Sequence, residues 1–323
     1  MLSSWVVAAL LSQTAASGST PAVRLVDGTT GVDVPFEGLI DELRRRDVVV
    51  FGEEHDNTPG HRYYAEVIAA LHRVRPDLAI SMEQFERDVQ GVVTDYVRGR
   101  IPEAEFLKHA RPWKNYAADY KPQIELAKQF QLDVIAANIP RPVAAKYVAN
   151  ENPSAPFKPR FTTAPSDRYY DLFKETMKQH PGMGAGGPPV EGMYRAQCAK
   201  DDAMAESIAE YLDSRPNRKP LVVHRCGNFH CEYGLGTVSR LLERSPLLRV
   251  AVVAMAATPD VGKPDLNKHL RKAHYLVVVP QPPKKEEPKP IGPAAKGGAA
   301  GAMKPASPAK STPAPTKGPP AEK

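Results

Sequence analysis

The feature that most constrains the fold is a short apolar run, Val48–Phe51, that ends at Gly52 and leads into a helix. β-Branched and aromatic residues in such a run indicate a buried strand. Thr58 can cap the following helix through its hydroxyl, and Pro59 suits the first helical position, where its missing N–H costs nothing. A strand, a polar turn and a helix form the first half of a βαβ unit. In open α/β sheets, ligands bind at the carboxyl ends of such strands.

Four ionisable residues fill this turn, namely Glu53, Glu54, His55 and Asp56. If the extended backbone persists past the glycine, Glu53 and His55 point to the same side, because side chains alternate along a strand. Their convergence would suit a metal or general acid–base chemistry, and the alternative is a solvated loop that caps the sheet. Glu54 is expected to face away as a surface carboxylate, whereas Asp56 either joins the site or accepts hydrogen bonds from its own turn. His61, in the first helical turn, either orients a neighbour or lies in solvent.

Further apolar runs alternate with helical patterns along the chain. They predict strands at residues 78–82, 132–137, 221–223, 248–253 and 275–279, and helices at 36–46, 59–73, 88–97, 102–109, 121–130, 141–150, 167–178 and 196–212. Strands that alternate with helices are typical of a parallel sheet. The prediction is an α/β fold, a mainly parallel sheet flanked by helices on both faces. It spans residues 21–280 and carries a helical and loop insert at 151–194, where Pro and Gly are dense.

Polar residues follow several of these strands. The residues concerned are Glu83, Asn138, Arg141, Asn228 and His230. Because the carboxyl ends of parallel strands meet at one edge of a sheet, we expect Glu83 and His230 to line one cleft with His55. Glu83 could instead cap the next helix or form an ion pair at the strand–helix junction. Arg141, at a helix start, suits either an anion or an ion pair with Asp133 or Glu125.

The two ends of the chain differ from the body in composition. Residues 1–20 combine a short apolar run with small residues, which predicts a signal peptide and an exported protein. From Gln281 onward there are eight lysines against three glutamates, which accounts for +5 of the formal charge of +6, so the body has no excess of charge that would indicate nucleic-acid binding. The Pro, Ala, Lys and Gly of residues 281–323 predict a disordered tail that is solvated or contacts an anionic envelope surface.

Three cysteines, Cys198, Cys226 and Cys231, leave one without a partner whatever the pairing. Export would allow a disulfide between Cys226 and Cys231, and two free thiols are the alternative. A zinc site of Cys and His residues would need closer spacing and more ligands.

In their order along the chain, these motifs resemble the ChaN-like haem-binding uptake family of the Tiki superfamily. The resemblance covers residues 45–255 and rests on Gly52–Asp56 with His61, Met82–Gln84, Trp113 with Tyr120–Pro122, Asn138–Arg141, Gln197 with Asp201–Ala205, and Gly227–His230. It implies a protein of the periplasm or cell envelope that binds haem and is linked to haem and iron acquisition. It also adds Gln197 and Asp201 to the polar site.

The resemblance further implies that haem contacts lie partly in a variable helical insert, here residues 160–194. The candidate iron ligands there are His180, Met183, Met193 and Tyr194, because imidazole, thioether and phenolate all serve as axial ligands. Met193 and Tyr194 could instead pack against the helix that follows them.

The wider superfamily also contains metal-dependent hydrolases. The alternative function is therefore a hydrolase in which His55, Glu83 and His230 bind a divalent metal that polarises a carbonyl or activates water. Further expectations are a homodimer and an envelope partner that binds the tail.

Overall fold

The computed structural model describes residues 22–149, 153–178 and 189–282. Their strands are β1 (Arg24–Asp27), β2 (Val48–Glu53), β3 (Leu78–Glu86), β4 (Asp133–Asn138), β5 (Leu221–Gly227), β6 (Val250–Thr258) and β7 (Tyr275–Pro280). Their α-helices are α1 (Phe36–Leu43), α2 (Thr58–Val74), α3 (Gln90–Val97), α4 (Glu103–His109), α5 (Tyr116–Asp119), α6 (Lys121–Phe130), α7 (Arg141–Val148), α8 (Arg168–Lys178), α9 (Val190–Asp213) and α10 (Thr237–Arg244).

The strands form one sheet in the order β1-β7-β6-β2-β5-β3-β4. Every pairing is parallel except that of β1 with β7. The predicted α/β fold with a mainly parallel sheet is therefore confirmed. The sequence did not indicate β1, because it is a four-residue edge strand with only two buried positions.

The sheet has a hydrophobic core on each face, and the side chains of β2 alternate between the two. Val49 and Phe51 pack with helices α1, α2, α3 and α6, whereas Val48 and Val50 pack with α9 and α10. Phe51 stacks on Tyr64 of α2 with ring centroids 4.4 Å apart. All six positions of β2 are buried, which is why its sequence is a continuous apolar run rather than an alternating one.

Helices that follow neighbouring strands leave the sheet on opposite faces. The helix after β2, α2, packs on one face, and the helix after β5, α10, packs on the other. Since β2 and β5 are adjacent and parallel, this divergence opens a crevice at their carboxyl ends.

Two local details differ from the prediction. Asn57, not Thr58, caps α2, because its side chain accepts a hydrogen bond from the Gly60 N–H at 3.1 Å. Thr58 instead donates to Asp119 Oδ1 at 2.7 Å. Strand β3 does not end at Glu83 but continues to Glu86, so Glu83 lies within the strand.

Residues 1–21 and 283–323, which include the predicted signal peptide and tail, lie outside the described residues, as do 150–152 and 179–188 of the insert. All three cysteines are buried and free, so Cys226 and Cys231 are two thiols rather than a disulfide. Among the described residues, none of the helices has the length and apolar character needed to cross a membrane.

Candidate functional site

A cavity of about 770 Å³ lies at the carboxyl edge of the sheet. It collects residues from the ends of β2, β3, β4 and β5 and from α7, α8 and α9. Its lining includes eight residues that the sequence singled out: Glu53, His55, Glu83, Asn138, Arg141, Gln197, Asn228 and His230. The structure therefore brings most of the predicted polar residues to one place.

The first polar network of the site is built around Glu53, the last residue of β2. Its buried carboxylate accepts hydrogen bonds from His55 Nδ1 at 3.0 Å, Gln84 Nε2 at 3.0 Å and Tyr120 Oη at 2.6 Å. It also forms an ion pair with the fully buried guanidinium of Arg225 on β5. Burial by itself would raise the pKa of Glu53, but the charge of Arg225 and the hydrogen bond from His55 outweigh it and lower the pKa to about 2. Glu53 is therefore a fixed anion.

His61 lies behind this network and is almost fully buried, so it is not in solvent. Its Nδ1 accepts a hydrogen bond from Arg225 at 2.7 Å, and its Nε2 lies 3.3 Å from the carbonyl oxygen of His55. Burial and the charge of Arg225 lower the pKa of His61. These contacts fit a neutral His61 ring with its proton on Nε2. The ring then accepts from Arg225 and donates to the His55 carbonyl, so it orients both Arg225 and the turn. Asp56 lies exposed in the turn and does not line the cavity.

His55 presents its ring to the cavity, and 48% of its side chain is exposed. Trp113 packs against the ring edge-to-face with centroids 4.9 Å apart. On the other side a Cβ added at Gly227 would lie 2.9 Å from His55 Cε1 and Nε2, so the ring approaches the backbone there as closely as a glycine permits. Burial lowers the pKa of His55, but its hydrogen bond to Glu53 and the charge of Glu83 give a net rise.

The second polar network is built around Glu83 and His230. His230 Nε2 lies 3.3 Å from Glu83 Oε1, and His230 Nδ1 lies 2.7 Å from Asp201 Oδ1. Glu83 also accepts a hydrogen bond from the Gly227 N–H at 2.8 Å. Burial opposes charge on both partners, but the two carboxylates raise the pKa of His230 to about 10, and His230 lowers that of Glu83. His230 is thus an imidazolium held between two carboxylates.

Asp201 does not line the cavity but holds His230 from behind. It accepts hydrogen bonds from Tyr169 Oη at 2.7 Å and Thr237 Oγ1 at 2.9 Å. Gln197, which does line the cavity, places its Nε2 3.1 Å from His230 Nδ1. The predicted pair Gln197 and Asp201 is therefore placed beside one histidine, one turn apart on α9.

Arg225 was not among the predicted site residues, although the sequence carries a signal for it. It interrupts the apolar run of β5, and a charged residue at a fully buried position requires a partner. The role of Glu54 was wrong: it is half-buried, lines the cavity and accepts a hydrogen bond from Asn228 Nδ2 at 3.0 Å. Burial raises the pKa of Glu54.

Three lysine or arginine side chains lie among the cavity-lining residues. Arg141 is largely exposed and pairs with Glu86 at 3.4 Å, not with Asp133 or Glu125. Lys272 pairs with Glu232 at 3.1 Å. Lys200 of α9 forms no ion pair with any residue that the structure describes. The apolar residues of the lining are Trp113, Ile139, Ala144, Phe173, Met177 and Phe229.

The candidate ligands of the insert are placed only in part. Tyr194 is buried, donates its hydroxyl to the Pro165 carbonyl at 3.0 Å and lies in an aromatic cluster with Phe173, away from the cavity lining. Burial raises its pKa, which disfavours the phenolate. Met193 packs on the same cluster. His180 and Met183 lie outside the described residues.

The donor set of the cavity does not fit a divalent metal at His55, Glu83 and His230. Both ring nitrogens of His230 face carboxylates, Nε2 at 3.3 Å from Glu83 Oε1 and Nδ1 at 2.7 Å from Asp201 Oδ1, so both are engaged as hydrogen-bond donors. A metal ligand must be a neutral imidazole. Within the residues that the structure describes, no group of three or more His, Cys, Asp or Glu side chains is arranged to hold a metal ion.

The comparisons with known proteins agree with the motifs. Residues 39–241 match the sequence model of the family described as haem-binding uptake, Tiki superfamily, ChaN. The match covers more than half of the chain, so the protein belongs to this family. A comparison with curated protein sequences found no match.

Two solved structures are similar to this chain to different degrees. ChaN of Campylobacter jejuni, solved with cofacially bound haem, is 16% identical and superposes with a TM-score of 0.60 over 79% of this chain and 96% of its own. A mutant of the erythromycin esterase EreC in its open conformation is 10% identical, with a TM-score of 0.48 over 81% of this chain and 98% of its own. At 16% identity, the likeness to the Campylobacter jejuni protein concerns the fold alone.

Proposed function

We propose that this protein binds haem in the cavity at the carboxyl edge of the sheet. Membership of the haem-binding uptake family carries the proposal. Its support from the fold is that polar residues at the ends of β2, β3, β4 and β5 line this one cavity, and in α/β folds ligands bind at the carboxyl ends of the strands.

The chemistry of the cavity suits an amphipathic macrocycle. Its volume of about 770 Å³ is within the usual range for small-molecule sites, about 300–1,000 Å³. Phe173 and Phe229, which line the cavity and pack on each other with ring centroids 5.9 Å apart, offer an apolar contact for the porphyrin face. Arg141, Lys200 and Lys272 supply cations for two propionates, and of these Lys200 does not have to break an existing ion pair.

We further propose that binding serves haem and iron acquisition outside the cytoplasm, in the periplasm or cell envelope. The support is the leader-like composition of residues 1–20 together with the uptake function in the family description. The division into a leader, a domain at 21–280 and a tail belongs to the same proposal. A homodimer, and an envelope partner that binds the lysine-rich tail, are additional hypotheses that size measurement and tail deletion would test.

Absorbance titration of the purified protein with haemin tests the proposal. We expect a saturable Soret shift at a fixed stoichiometry. Thr176→Trp, which places a large ring on the cavity lining, should weaken the shift. Asp171→Trp, at an exposed position of the same helix, is the matched control and should bind haemin like the wild type. A titration without saturation, or equal binding by both variants, would contradict binding in this cavity.

Acid–base hydrolysis is a second candidate, favoured by one observation. The side chain of His55 is half exposed at the cavity while its Nδ1 lies 3.0 Å from the fixed carboxylate of Glu53, a pairing that suits a general base. A screen with activated esters in the presence of a chelator tests this candidate. Ester turnover by the wild type that is lost in His55→Ala would support hydrolysis. Equal rates in the wild type and His55→Ala would exclude His55 as the general base.

A further inference from the structure

We propose that a second cavity, beside the edge strand β4, binds the phosphate headgroups of an anionic lipid bilayer, and that the adjoining segment 157–161 inserts its phenylalanines between the lipids. This inference goes beyond haem binding and does not depend on it, because the two cavities share no lining residue.

The second cavity has a volume of about 720 Å³ and lies against β4, the last strand of the sheet. Its walls come from α3, α9 and the segment 157–160. The side-chain amide of Gln90 spans the strand edge: Nε2 donates to the Val134 carbonyl at 2.8 Å, and Oε1 accepts from the Ala136 N–H at 2.8 Å. A neighbouring strand would make the same two hydrogen bonds, so the edge is covered at this point and an added peptide strand is not the ligand that the cavity favours.

The lining of this cavity carries more cations than carboxylates. The charged residues are Arg87, Arg98, Lys158, Arg160 and Arg215 against Asp133, Glu206 and Glu210. Five positive and three negative side chains leave a net charge of +2, which favours an anion as the ligand.

Two of these arginines share one carboxylate. Arg98 and Arg215 both form an ion pair with Asp133, so one positive charge is in excess among the three side chains. The guanidinium of Arg215 stacks over the Tyr211 ring, 3.7 Å from its centroid, and Arg98 also donates to the Gln131 carbonyl. Both guanidiniums are therefore held in place, and the planar fork of an arginine matches the geometry of a phosphate.

Two exposed phenylalanines belong to the same face. Phe157 lines the cavity and is 47% exposed, and Phe161 is 75% exposed, more than any other phenylalanine that the structure describes. They are four residues apart, which limits their separation to about 14 Å. Lys158 and Arg160 lie between them in the sequence. Apolar rings beside cations are typical of protein surfaces that lie in the interface of an anionic bilayer.

The backbone of this segment is fixed although its rings are not buried. The Arg160 N–H donates to Glu206 Oε2 at 2.9 Å, and the Phe161 carbonyl accepts from Arg244 Nη2 at 3.4 Å. Phe157 has φ 66°, in the left-handed region that a bulky residue adopts at a cost in free energy. Burial of the ring within the protein does not offset this cost, since Phe157 is half-exposed. Insertion between lipids would bury both rings.

A bilayer accounts for the cations and the rings together. A soluble phosphate would use the arginines of the cavity but leave Phe157 and Phe161 in water. A nucleic acid would favour a larger excess of positive charge than the +2 of this lining.

The first experiment places a fluorophore in the segment. Phe161→Trp and, as the matched control, Val32→Trp are mixed as full chains with vesicles of phosphatidylglycerol or phosphatidylcholine that carry brominated acyl chains. Val32 is 65% exposed and follows β1, at the opposite edge of the sheet. Bromine quenches an indole only at close range, and the wild type gives the baseline of the native tryptophans. We expect quenching beyond this baseline in Phe161→Trp with phosphatidylglycerol, and none in Val32→Trp.

The second experiment measures vesicle binding by sedimentation. Phe161→Ser should lower the partition coefficient about tenfold, because a buried ring is lost, whereas Val32→Ser should not change it. Arg160→Gln should lower it about fivefold with phosphatidylglycerol, whereas Arg45→Gln, an exposed arginine that pairs with Glu42, should not. The lysine-rich residues 281–323 are present in every variant and attract all of them equally. Circular dichroism and thermal unfolding show that each variant is folded.

Each alternative has its own outcome. Equal quenching of the two tryptophan variants, or quenching of neither, would overturn insertion of this segment. Equal binding to phosphatidylcholine and phosphatidylglycerol would overturn the role of the cations. Inorganic phosphate or a single-stranded oligonucleotide that binds the wild type but not Arg160→Gln, without any vesicle binding, would assign the face to a soluble phosphate or to nucleic acid and overturn the bilayer. Haemin titration of the same variants reports on the other cavity and tests the proposed function separately.

Discussion

His230 and Glu83 form a buried ion pair in which Nε2 lies 3.3 Å from Oε1. The pair joins the segment after β5 to strand β3, and Asp201 extends it to α9 through a contact of 2.7 Å with Nδ1. Ion pairs beside the cavity thus connect three elements that come from distant parts of the chain. The titration of this cluster should therefore be visible in the stability of the whole domain.

We expect the free energy of unfolding to fall as the pH rises from 6.5 to 8.5. The pKa of His230 is about 10 in the folded state and about 6.5 in the unfolded state. The stabilisation that His230 gives the folded state is therefore complete below pH 6.5 and is lost as the pH rises towards 10. Each proton that the folded state holds in excess contributes a slope of about 1.4 kcal/mol per pH unit. His55, whose pKa is also raised, acts in the same direction. Urea unfolding at several pH values measures the slope.

The matched control for this pH dependence is His230→Gln, which removes the titrating group. Its slope between pH 6.5 and 8.5 should be smaller than that of the wild type. The range stops at 8.5 because burial raises the pKa of thiols such as Cys226 and Cys198, which adds a dependence of the same sign at higher pH. Because buried histidines with lowered pKa values, such as His224, contribute with the opposite sign, the difference between the two proteins is decisive. An unchanged slope in the variant would show that His230 is not held as an imidazolium.

The second prediction concerns the buried pair of Arg225 and Glu53. Arg225→Met should destabilise the domain by about 3–5 kcal/mol, because it leaves a buried carboxylate without its counter-charge. Arg218→Met is the control, since Arg218 is exposed and pairs with Asp77 at the surface, where an ion pair contributes about 1 kcal/mol or less. Both are measured by urea unfolding at pH 7. Equal effects would mean that the environment of Glu53 compensates for the lost charge.

The sequence predicted the sheet and the site edge better than the partners within the site. Buried parallel strands appear in the sequence as continuous apolar runs, and the polar residues that follow them lie at the carboxyl edge of the sheet. Both features can therefore be recognised from the sequence alone. The pairing of Glu53 with Arg225 cannot be recognised in this way, since it depends on which strands become neighbours in the sheet. Glu54 was placed wrongly for a related reason: alternation along a strand fails once the backbone leaves the strand, and Asn228 of another segment supplies its partner.

The third prediction concerns Lys200, the cavity cation without an ion pair among the described residues. Lys200→Ala should weaken haemin binding about tenfold, because a charge-assisted hydrogen bond to a propionate contributes about 1.5 kcal/mol. Lys219→Ala, at an exposed position away from the cavity, is the control and should leave the affinity unchanged. Fluorescence quenching gives both dissociation constants. A loss of affinity equal in the two variants would indicate non-specific attraction of haemin by positive charge.

The last prediction uses the space beside His55 that only a glycine leaves. Gly227 has φ −59° and ψ 148°, which alanine adopts without strain, so Gly227→Ala acts through its methyl group alone. That methyl would lie 2.9 Å from the ring of His55, which must move and thereby loosen its hydrogen bond to Glu53. Because that bond raises the pKa of His55, we expect the pKa measured by NMR to fall towards its ordinary value, together with an altered haem spectrum. Gly91→Ala is the control, since a methyl there meets nothing within 4 Å and should leave both readouts unchanged. An unchanged pKa in Gly227→Ala would show that the ring is not held against this glycine.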